Sequence, residues 1–505
     1  MATVTPGPVT PIPVTTSPVL DRSAKLIFGR FRFWLFMVAV VVVLAGLLFG
    51  YDQGVISGAL VFMARDLHLG TALQEIVTSW VTLGALGGAL VAGELADRIG
   101  RQKALILGGV LFAVGGLGQA VAPDTAVIVV ARFVVGFGVG VASLAGPLYA
   151  SEMAPASVRG RYVSTYQLAL TMGILLAYIA DSILSSGGHW RVMLGLSVVP
   201  GVLLLLVALR MPDTPRWYLR HGRRAEAKAT LAKTIGCDDL DGRLDKMQAQ
   251  LAKTMGVKWK DVFAPSLRRP LGVAVSLAIF QQITGINAVI YYSDKIFSFA
   301  GFTTPHSQTI ATIVSVGVVN VLATVVAIAW IDKFGRRALL FTGLTGMLVG
   351  LLAIAASFQF LTHHTGQFAL SHHAATGTLS ATGIVTLLAM VVYIASFAFS
   401  LGPVVWTLIS EIFPNRVRGK AMGVATAANW GAAFIVSVTF LSITKAIGTA
   451  ATFLIFAVLT VITFFYVLAR VPETKGKTLE QIQEIWHEHD DQRKLSEAPA
   501  YAIDA

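Results

Sequence analysis

Long apolar segments, repeated along almost the whole chain, constrain this sequence more than any other feature. A helix that crosses a bilayer needs about 20 apolar residues, and these segments reach that length. They are much longer than the ~10-residue alternating strands of an outer-membrane barrel. Only 13% of the residues are charged, against roughly a quarter in a soluble protein. The sequence therefore predicts an all-α membrane protein with twelve spans. The predicted spans cover residues 34–62, 76–96, 104–122, 125–148, 162–184, 191–211, 271–298, 308–331, 338–361, 384–410, 421–443 and 449–470.

A polar stretch in the middle of the chain divides the predicted spans into two sets of six. We expect a disordered cytoplasmic tail at residues 1–33, because prolines recur through its first part. Six-helix bundles are expected at residues 34–211 and 270–470. Between them, residues 212–269 are predicted to form a cytoplasmic linker of short amphipathic helices. A second cytoplasmic tail follows at residues 471–505.

The net charge of +12 suits either a nucleic-acid-binding protein or a membrane protein with basic cytoplasmic loops. The distribution of the charge decides between them. With the N-terminus placed in the cytoplasm, the outer loops hold only Arg65, Arg191, Lys295 and Lys445 of the 39 basic residues. We therefore expect a multi-pass protein of the plasma (inner) membrane, with both termini cytoplasmic and no nucleic-acid partner.

An internal repeat relates the two sets of spans. Asp97–Arg101 follows span 2, and the similar Asp332–Arg336 follows span 8. Glu152–Arg159 and Glu411–Arg418 each place an acid seven residues before an Arg-Gly pair, after spans 4 and 10. Equivalent motifs on the same side of equivalent spans indicate two parallel halves. Halves of this kind suit alternating access, with a binding site at their interface.

The repeated motifs place charges of both signs at one membrane face. We expect them to form an ion-pair network between the two halves that holds the cytoplasmic side shut. The other interpretation is that they are ordinary loop charges at the membrane surface. The candidate network residues are Asp97, Arg101, Glu152, Arg159, Asp332, Arg336, Glu411 and Arg418.

Asp52 is a carboxyl residue inside span 1, where such a group is costly and usually functional. Arg132 is its natural partner, because both residues lie about 12–15 Å below the outer surface at the helical rise of ~1.5 Å per residue. If the pair forms in one conformation and separates in another, Asp52 would gain and lose a proton. A permanent structural ion pair is the other interpretation.

Uncharged amide and aromatic side chains dominate the polar positions within the spans. Amides both donate and accept hydrogen bonds, and Trp and Tyr offer flat faces with a polar tip. This mixture is typical of a site for an uncharged polyhydroxylated molecule such as a sugar, although hydrogen bonds between helices would use the same residues. Gly402-Pro403 is expected to break span 10 and form a hinge. The candidates are Gln167, Gln281, Gln282, Asn287, Tyr291, Tyr292, Asn320, Trp406, Asn429 and Trp430.

Other kinds of chemistry have little support in the sequence. The single cysteine excludes an internal disulfide, and no ATP-binding P-loop or hydrolase nucleophile motif is present. We expect no metal and no cofactor other than the proton as coupling ion, and we interpret the paired histidines between spans 9 and 10 as a solvated loop. Asp181 and Asp294 are expected at the membrane interface.

Several motifs follow one another in order along the chain. They are GYD-x4-SG at 50–58, DRxGR at 97–101, PxYxSExAP at 147–155, PDTPRW at 212–217, QQ-x2-GIN-x3-YY at 281–292, DKFGRR at 332–337, GP-x2-W at 402–406, SEIFP-x3-RGKA at 410–421 and PETKG at 472–476. Through these motifs the chain resembles the sugar porter family of the major facilitator superfamily over about residues 35–480, most of all its bacterial xylose– and glucose–proton symporters.

The resemblance implies roles for individual residues. Asp52 matches the proton-coupling aspartate of bacterial and plant symporters, where animal facilitators carry Asn, and Arg132 matches its usual partner. Asn429, also a candidate ligand, stands where the xylose symporter has Gln, which shortens or removes a contact to the sugar. The family's sugar-contacting positions correspond here to Phe49, Gln167, Gln281, Gln282, Asn287, Tyr291, Asn320, Trp406 and Trp430.

Residues and resemblance together predict a monomeric transporter in the lipid bilayer. We expect it to import a monosaccharide, either a pentose or a hexose, with a proton by alternating access. A proton-independent sugar uniporter and a symporter of polyols or cyclitols remain open alternatives. A sugar sensor and a membrane enzyme are less consistent with the short C-terminal tail and with the absence of a catalytic constellation.

Overall fold

The structure is a computed structural model. It describes the backbone of residues 18–477 and 481, apart from 156–157, 235–238, 255–257, 369–380 and 415. Side chains are described from residue 33 onward within those ranges, except those of Arg159, Asp332, 253–254 and 361–368. The described residues form helices joined by short connections and contain no strand. The predicted all-α class is thus confirmed.

The first half of the chain forms seven helices, of which α6 and α7 together make span 6. Their bounds are α1 Pro18–Asp66, α2 Thr71–Ile99, α3 Arg101–Val121, α4 Thr125–Met153, α5 Arg159–Ser185, α6 Trp190–Gly195 and α7 Val198–Arg210. The linker that follows forms four shorter helices, which are α8 Pro215–Arg220, α9 Arg224–Thr234, α10 Leu240–Thr254 and α11 Trp259–Val262.

The second half forms the other six spans, and three of them depart from a continuous α-helix. Span 7 consists of α12 and α13, span 8 contains a π-helical stretch, and span 10 consists of α17 and α18. The bounds are α12 Arg268–Ile283, α13 Ile286–Phe299, α14 Pro305–Thr312, the π-helix Ile313–Val318, α15 Val319–Phe334, α16 Arg336–Phe368, α17 Ala381–Phe399, α18 Leu401–Glu411, α19 Arg418–Ile447 and α20 Thr449–Arg470.

Twelve helices in the described ranges are long and apolar enough to cross a membrane. They coincide with the predicted spans to within a few residues at most ends. The beginning of the chain differs, because α1 starts at Pro18 and not at residue 34. The expectation of disorder throughout 1–33 is therefore wrong for residues 18–33, while residues 1–17 lie outside the description. Extending an existing helix avoids the cost of nucleation, so a segment without long apolar runs can continue it.

The breaks in spans 7 and 10 lie at the level of the candidate sugar site. Gly285 separates α12 from α13 with a φ of +100°, a conformation that side chains other than glycine rarely adopt. In span 10 the helix is interrupted at Ser400, three residues before Pro403. The predicted break in span 10 is present, but Pro403 lies in the first turn of α18, where it interrupts no helical hydrogen bond.

Helices α2 and α4 approach each other closely through glycines. A Cβ atom added at Gly84 would collide with the carbonyl oxygen of Phe133, and one added at Gly88 with that of Phe137. Small residues at such crossings let two backbones come into contact. Gly93, which follows these glycines on α2, has no neighbouring atom within 4 Å of the position that a Cβ atom would take.

We predict that Gly84→Ala lowers the apparent melting temperature of the purified protein, whereas Gly93→Ala does not. Forcing one methyl group into the helix crossing should cost about 1–3 kcal/mol. The measurement is thermal unfolding in one detergent, followed by intrinsic tryptophan fluorescence. Equal melting temperatures for the two variants would show that the α2–α4 crossing is looser than described.

Candidate functional site

Asp52 and Arg132 form a buried ion pair in the first half. Arg132 Nη1 lies 3.0 Å from Asp52 Oδ1, and the two side chains are 3% (Asp52) and 0% (Arg132) exposed. The structure thus brings together the two residues whose depths the sequence matched. Breaking a buried pair leaves an uncompensated charge, which is strongly unfavourable. Separating this pair while Asp52 stays ionised and buried would therefore be unfavourable.

Arg132 is also held from the opposite side by helix α2. Its Nε donates to the Val77 carbonyl at 3.1 Å and its Nη2 to the Thr78 carbonyl at 3.4 Å. These backbone acceptors do not depend on Asp52. Arg132 therefore has two attachments to α2 in addition to its bond with Asp52.

The next residue on span 1 connects the pair to the second half. Gln53 Nε2 donates to the hydroxyl of Tyr291 on α13 at 3.4 Å. Tyr291 is one of the predicted sugar ligands and is fully buried. The ion pair and the candidate sugar site are consequently one residue apart along the chain. A movement of span 1 would reach both.

Two of the predicted sugar ligands bond mainly to protein groups. Gln281 Nε2 donates to the carbonyls of Leu401 and Gly402, at the break in span 10. Asn429 Nδ2 donates to Gln281 Oε1 and to the Ala278 carbonyl, both at 2.8 Å. The amides of Gln281 and Asn429 thus join α12, α18 and α19. In this structure the two amides form hydrogen bonds between helices, which is the alternative role considered for them, and not a free surface for a sugar.

Other predicted ligands keep their amides available. Among the residues that the structure describes, the side chains of Gln167, Asn287 and Asn320 make no hydrogen bond to the protein. Gln282 donates to Asn429 at 3.1 Å, but its Oε1 is buried without a partner. A buried polar group without a partner costs about 1–3 kcal/mol. These amides are therefore the groups that the hydroxyls of a ligand can satisfy.

Aromatic side chains from both halves border these amides. Phe49 on α1 lies against Trp430 on α19, with ring centroids 5.2 Å apart. Trp430 follows Asn429 directly, so this aromatic pair adjoins the amide cluster of span 7. Trp406 on α18 is half-buried and packs on a hydrophobic core cluster that contains residues of both halves. Flat aromatic faces suit the C–H surface of a sugar ring.

The outer ends of the spans are joined across the two halves. Glu75 on α2 accepts from the backbone N–H and from the hydroxyl of Ser442, both at 2.6 Å. Ser57 and Ser293 are hydrogen-bonded at 2.9 Å. The hydroxyl of Tyr178 donates to the Ile290 carbonyl at 3.0 Å. The outer side of the molecule is thus closed in this conformation.

On the cytoplasmic face of the first half, Glu152 uses both of its oxygens locally. Oε1 accepts from Arg101 at 3.2 Å and Oε2 from the Thr214 hydroxyl at 2.5 Å. Asp97 lies 3.0 Å from Arg101 and 2.6 Å from Arg220 of the linker. The first repeated motif is therefore a cluster within its own half.

The second half repeats this arrangement. Glu411 Oε1 accepts from Arg336 at 2.8 Å, and Oε2 accepts from the Thr474 hydroxyl at 2.6 Å. Arg418 donates to the Phe413 carbonyl at 3.2 Å. The sequence repeat thus corresponds to a structural repeat, in which each glutamate pairs with one Arg and one Thr.

In this conformation the described contacts of Glu152 and Glu411 lie within their own halves. The predicted network between the halves would hold the cytoplasmic side shut, whereas here it is the outer side that is closed. The network of Arg101, Glu152, Arg336 and Glu411 therefore stays a prediction for the conformation whose cytoplasmic side is closed. The side chains of Arg159 and Asp332 lie outside the described residues.

A family model described as "Sugar (and other) transporter" matches residues 38–486. The chain belongs to this family of sugar transporters. The galactose-proton symporter of Escherichia coli (strain K12) is 38% identical over 455 residues, which cover 89% of this chain and 93% of that protein. The D-xylose transporter of Levilactobacillus brevis is 36% identical over 443 residues, which cover 87% and 93% of the two chains.

Solved structures show the same fold. The proton:xylose symporter XylE of E. coli, a member of the major facilitator superfamily, aligns with a TM-score of 0.74 and 31% identity. The alignment covers 90% of this chain and 100% of that chain. The predicted family and fold are therefore confirmed. The chain is a member of a sugar transporter family with twelve candidate membrane spans, and it is a transporter and not an enzyme.

The sequence interpretation of this sugar transporter missed the residues that close the outer side. Asp181 and Asp294 were expected at the membrane interface, and that expectation is wrong because they are 0% and 1% exposed. Gln53 and Ser57 could have been recognised from the sequence. They are polar residues of span 1, directly after Asp52, and their spacing of four residues places them on one face of the helix. Glu75 lies one residue before the predicted start of span 2 at residue 76, so the span pattern gave it no buried role.

The two cytoplasmic clusters differ in one carboxyl at equivalent repeat positions. Burial raises the pKa of Asp213, although it accepts from the backbone N–H groups of Arg101, Gln102 and Thr214. Burial also tends to raise the pKa of Glu473. Hydrogen bonds from several backbone N–H groups, including those of Arg336 and Arg337, outweigh burial, so the pKa of Glu473 is lowered. Only the ionised form of Glu473 is thus stabilised by folding.

We predict that, at pH 7, Glu473→Gln lowers the apparent melting temperature further than Asp213→Asn does. The difference between the two variants should be about 2 °C or more. The contribution of Glu473 should be present above its ordinary pKa of 4.5 and lost as the pH falls through its lowered folded-state pKa. The gap between Glu473→Gln and the native protein should therefore narrow toward pH 4. A larger loss for Asp213→Asn at pH 7 would contradict this assignment.

Proposed function

We propose that the protein imports a monosaccharide together with a proton across the plasma membrane by alternating access, with both termini in the cytoplasm. The observation that carries this proposal is the position of the Asp52–Arg132 pair, one residue from the contact between Gln53 and Tyr291. A protonatable group and a candidate sugar ligand are thereby linked through one helix. Relatives named as galactose-proton and arabinose-proton symporters support the proposal.

The substrate class follows from the groups left available. Free amides of Gln167, Asn287 and Asn320 can donate to and accept from hydroxyls. The Phe49–Trp430 pair supplies an apolar surface. Within the site as described, the charged groups Asp52 and Arg132 are bonded to each other, so an ionic substrate would find no free counter-charge among them. A neutral pentose or hexose fits this combination.

The proposed coupling mechanism depends on the two sets of partners of Arg132, which are Asp52 on span 1 and two backbone carbonyls on α2. While Asp52 is ionised, span 1 is attached to Arg132 by the ion pair. When Asp52 takes up a proton from outside, the pair weakens, and Arg132 remains bonded to the Val77 and Thr78 carbonyls. Span 1 then moves with Phe49 and Gln53, which contact the second half. The sugar-loaded form closes on the outside, opens inward and releases sugar and proton.

We predict that a proton gradient drives sugar accumulation in proteoliposomes, and that Asp52→Asn abolishes it. One pH unit is worth about 1.4 kcal/mol, which allows up to about tenfold accumulation with one proton per sugar. Labelled xylose, glucose, galactose and arabinose form the panel. Counterflow of sugar should survive in Asp52→Asn, because the neutral side chain mimics the protonated state.

The matched control is Asp124→Asn, which removes an exposed carboxyl at the outer start of α4. It should accumulate sugar as the native protein does. Equilibration of sugar that ignores the gradient in the native protein would instead identify a uniporter. Uptake of polyols or cyclitols, with none of the sugars transported, would establish the other alternative.

We also predict that Asn287→Ala affects mainly sugar binding, whereas Asn429→Ala affects mainly stability. The Asn287 amide has no hydrogen-bond partner among the described residues, so its loss should weaken sugar binding about tenfold and leave the melting temperature nearly unchanged. Asn429 joins three protein groups, so its loss should lower the melting temperature. Binding is followed by isothermal titration and stability by thermal unfolding. A stability loss for Asn287→Ala with unchanged binding would remove it from the sugar site.

A further inference from the structure

Two carboxyl groups outside the coupling pair are buried where the halves meet on the outer side. Asp181 belongs to α5 in the first half, and Asp294 belongs to α13 in the second. They are 0% and 1% exposed and interact electrostatically. They contact consecutive residues of span 1, since Asp181 accepts from the backbone N–H of Gly58 and the backbone N–H of Asp294 donates to the Ser57 hydroxyl. The carboxyls therefore flank one point of the outer closure.

The two carboxyls are unequally provided with hydrogen-bond donors. Asp294 Oδ1 accepts from the Thr312 hydroxyl at 2.6 Å, and Oδ2 accepts from the Thr309 hydroxyl at 2.9 Å. Asp181 Oδ2 accepts only from the backbone N–H of Gly58 at 3.2 Å. Asp181 Oδ1 is buried and has no hydrogen-bond partner in the described ranges. A negative charge is thus solvated by hydroxyls on Asp294 and poorly solvated on Asp181.

No cation is found among the named partners of either carboxyl. The nearby hydroxyls of Tyr51 and Tyr178 donate to the Met193 and Ile290 carbonyls. The ammonium group of Lys295, next to Asp294, bonds to Gln74 on α2. The remaining charged or titratable groups toward the outer surface are Arg65, Asp66, His68, His189 and His306, which are exposed, and Arg191, which is half-buried. Arg191 lies 3.6 Å from Asp66.

Burying an ionised carboxylate without a paired cation costs several kcal/mol, and two neighbouring carboxylates add repulsion. Opening the outer side would expose both groups to water and remove most of this penalty. The closed conformation should therefore hold a proton that the open conformation does not need. By linkage, the conformation that binds the proton is favoured as the pH falls.

We propose that Asp181 and Asp294 form a second proton-binding site, separate from Asp52, which holds one proton while the outer side is closed. The proton resides on Asp181, and Asp294 keeps its charge. It enters from the outside water as the outer side closes and returns there as it opens. It is not carried across the membrane, so it sets the balance of conformations and leaves the proton-to-sugar ratio unchanged.

The experiment measures the outer opening directly and needs no transport. Spin labels are attached at Pro123→Cys and Thr303→Cys, two exposed outer positions in opposite halves, in a Cys237→Ser chain. The background also carries Asp52→Asn, which removes the coupling site. Distances between the labels are measured by electron–electron resonance in lipid nanodiscs from pH 5.5 to 8.5, without sugar.

We expect the closed population to grow as the pH falls, with the closed-to-open ratio changing up to about tenfold per pH unit. Asp181→Asn should remove this dependence and stay closed at high pH. Asp294→Asn should keep the dependence but move its midpoint down by about one pH unit, because Asp181 loses a negative neighbour. The control Asp124→Asn should leave the curve unchanged.

Three results would overturn the proposal. One is a pH dependence that persists unchanged in Asp181→Asn. Another is a ratio that does not respond to pH at all in the Asp52→Asn background. The third is a midpoint that stays in place in Asp294→Asn, which tests the site even if Asp181→Asn fails to fold. A failure of sugar transport, by contrast, would bear on the proposed function and not on this site.

Discussion

One buried ion pair, between Asp52 and Arg132, joins spans 1 and 4 deep in the first half. A charge pair this far from water is stable only when its geometry is good and its other hydrogen-bonding atoms are satisfied. Two carbonyls of α2 meet that condition for Arg132. Asp52 has no comparable second anchor described, and it lies on the helix that also carries Phe49 and Gln53. The pair is therefore one attachment of span 1 to the rest of its half, beside the close packing of Gly46 and Gly50 on α5. In the proposed mechanism it is the attachment that protonation of Asp52 releases.

The remaining polar groups within the spans divide into structural and available sets. Gln281 and Asn429 hold the broken spans 7 and 10 against α19. Within the described part of the chain, the side chains of Gln167, Asn287 and Asn320 have no hydrogen-bond partner. At the cytoplasmic face, Glu152 and Glu411 each organise one half in the same way. At the outer face, hydrogen bonds such as that between Glu75 and Ser442 join the halves. In this conformation the halves are thus joined outside, while each is stabilised separately inside.

The sequence was sufficient for the features that depend on length, periodicity and depth. The spans follow from apolar length, and the meeting of Asp52 with Arg132 follows from equal depth in the bilayer. The use of Asn429 could not be foreseen in this way, because it depends on how α12 and α19 are rotated toward each other. The burial of Asp181 and Asp294 was missed for a similar reason. Their positions near the ends of spans suggest exposure, but contact between the two halves covers them.

The most direct test of the central claim is whether sugar entry carries a proton with it through Asp52. Proteoliposomes without any initial gradient are placed in a weakly buffered medium, sugar is added outside, and the external pH is recorded. The account predicts that the medium becomes more alkaline as sugar enters, and that Asp52→Asn abolishes the change. Sugar entry through the native protein with no change in external pH would contradict it.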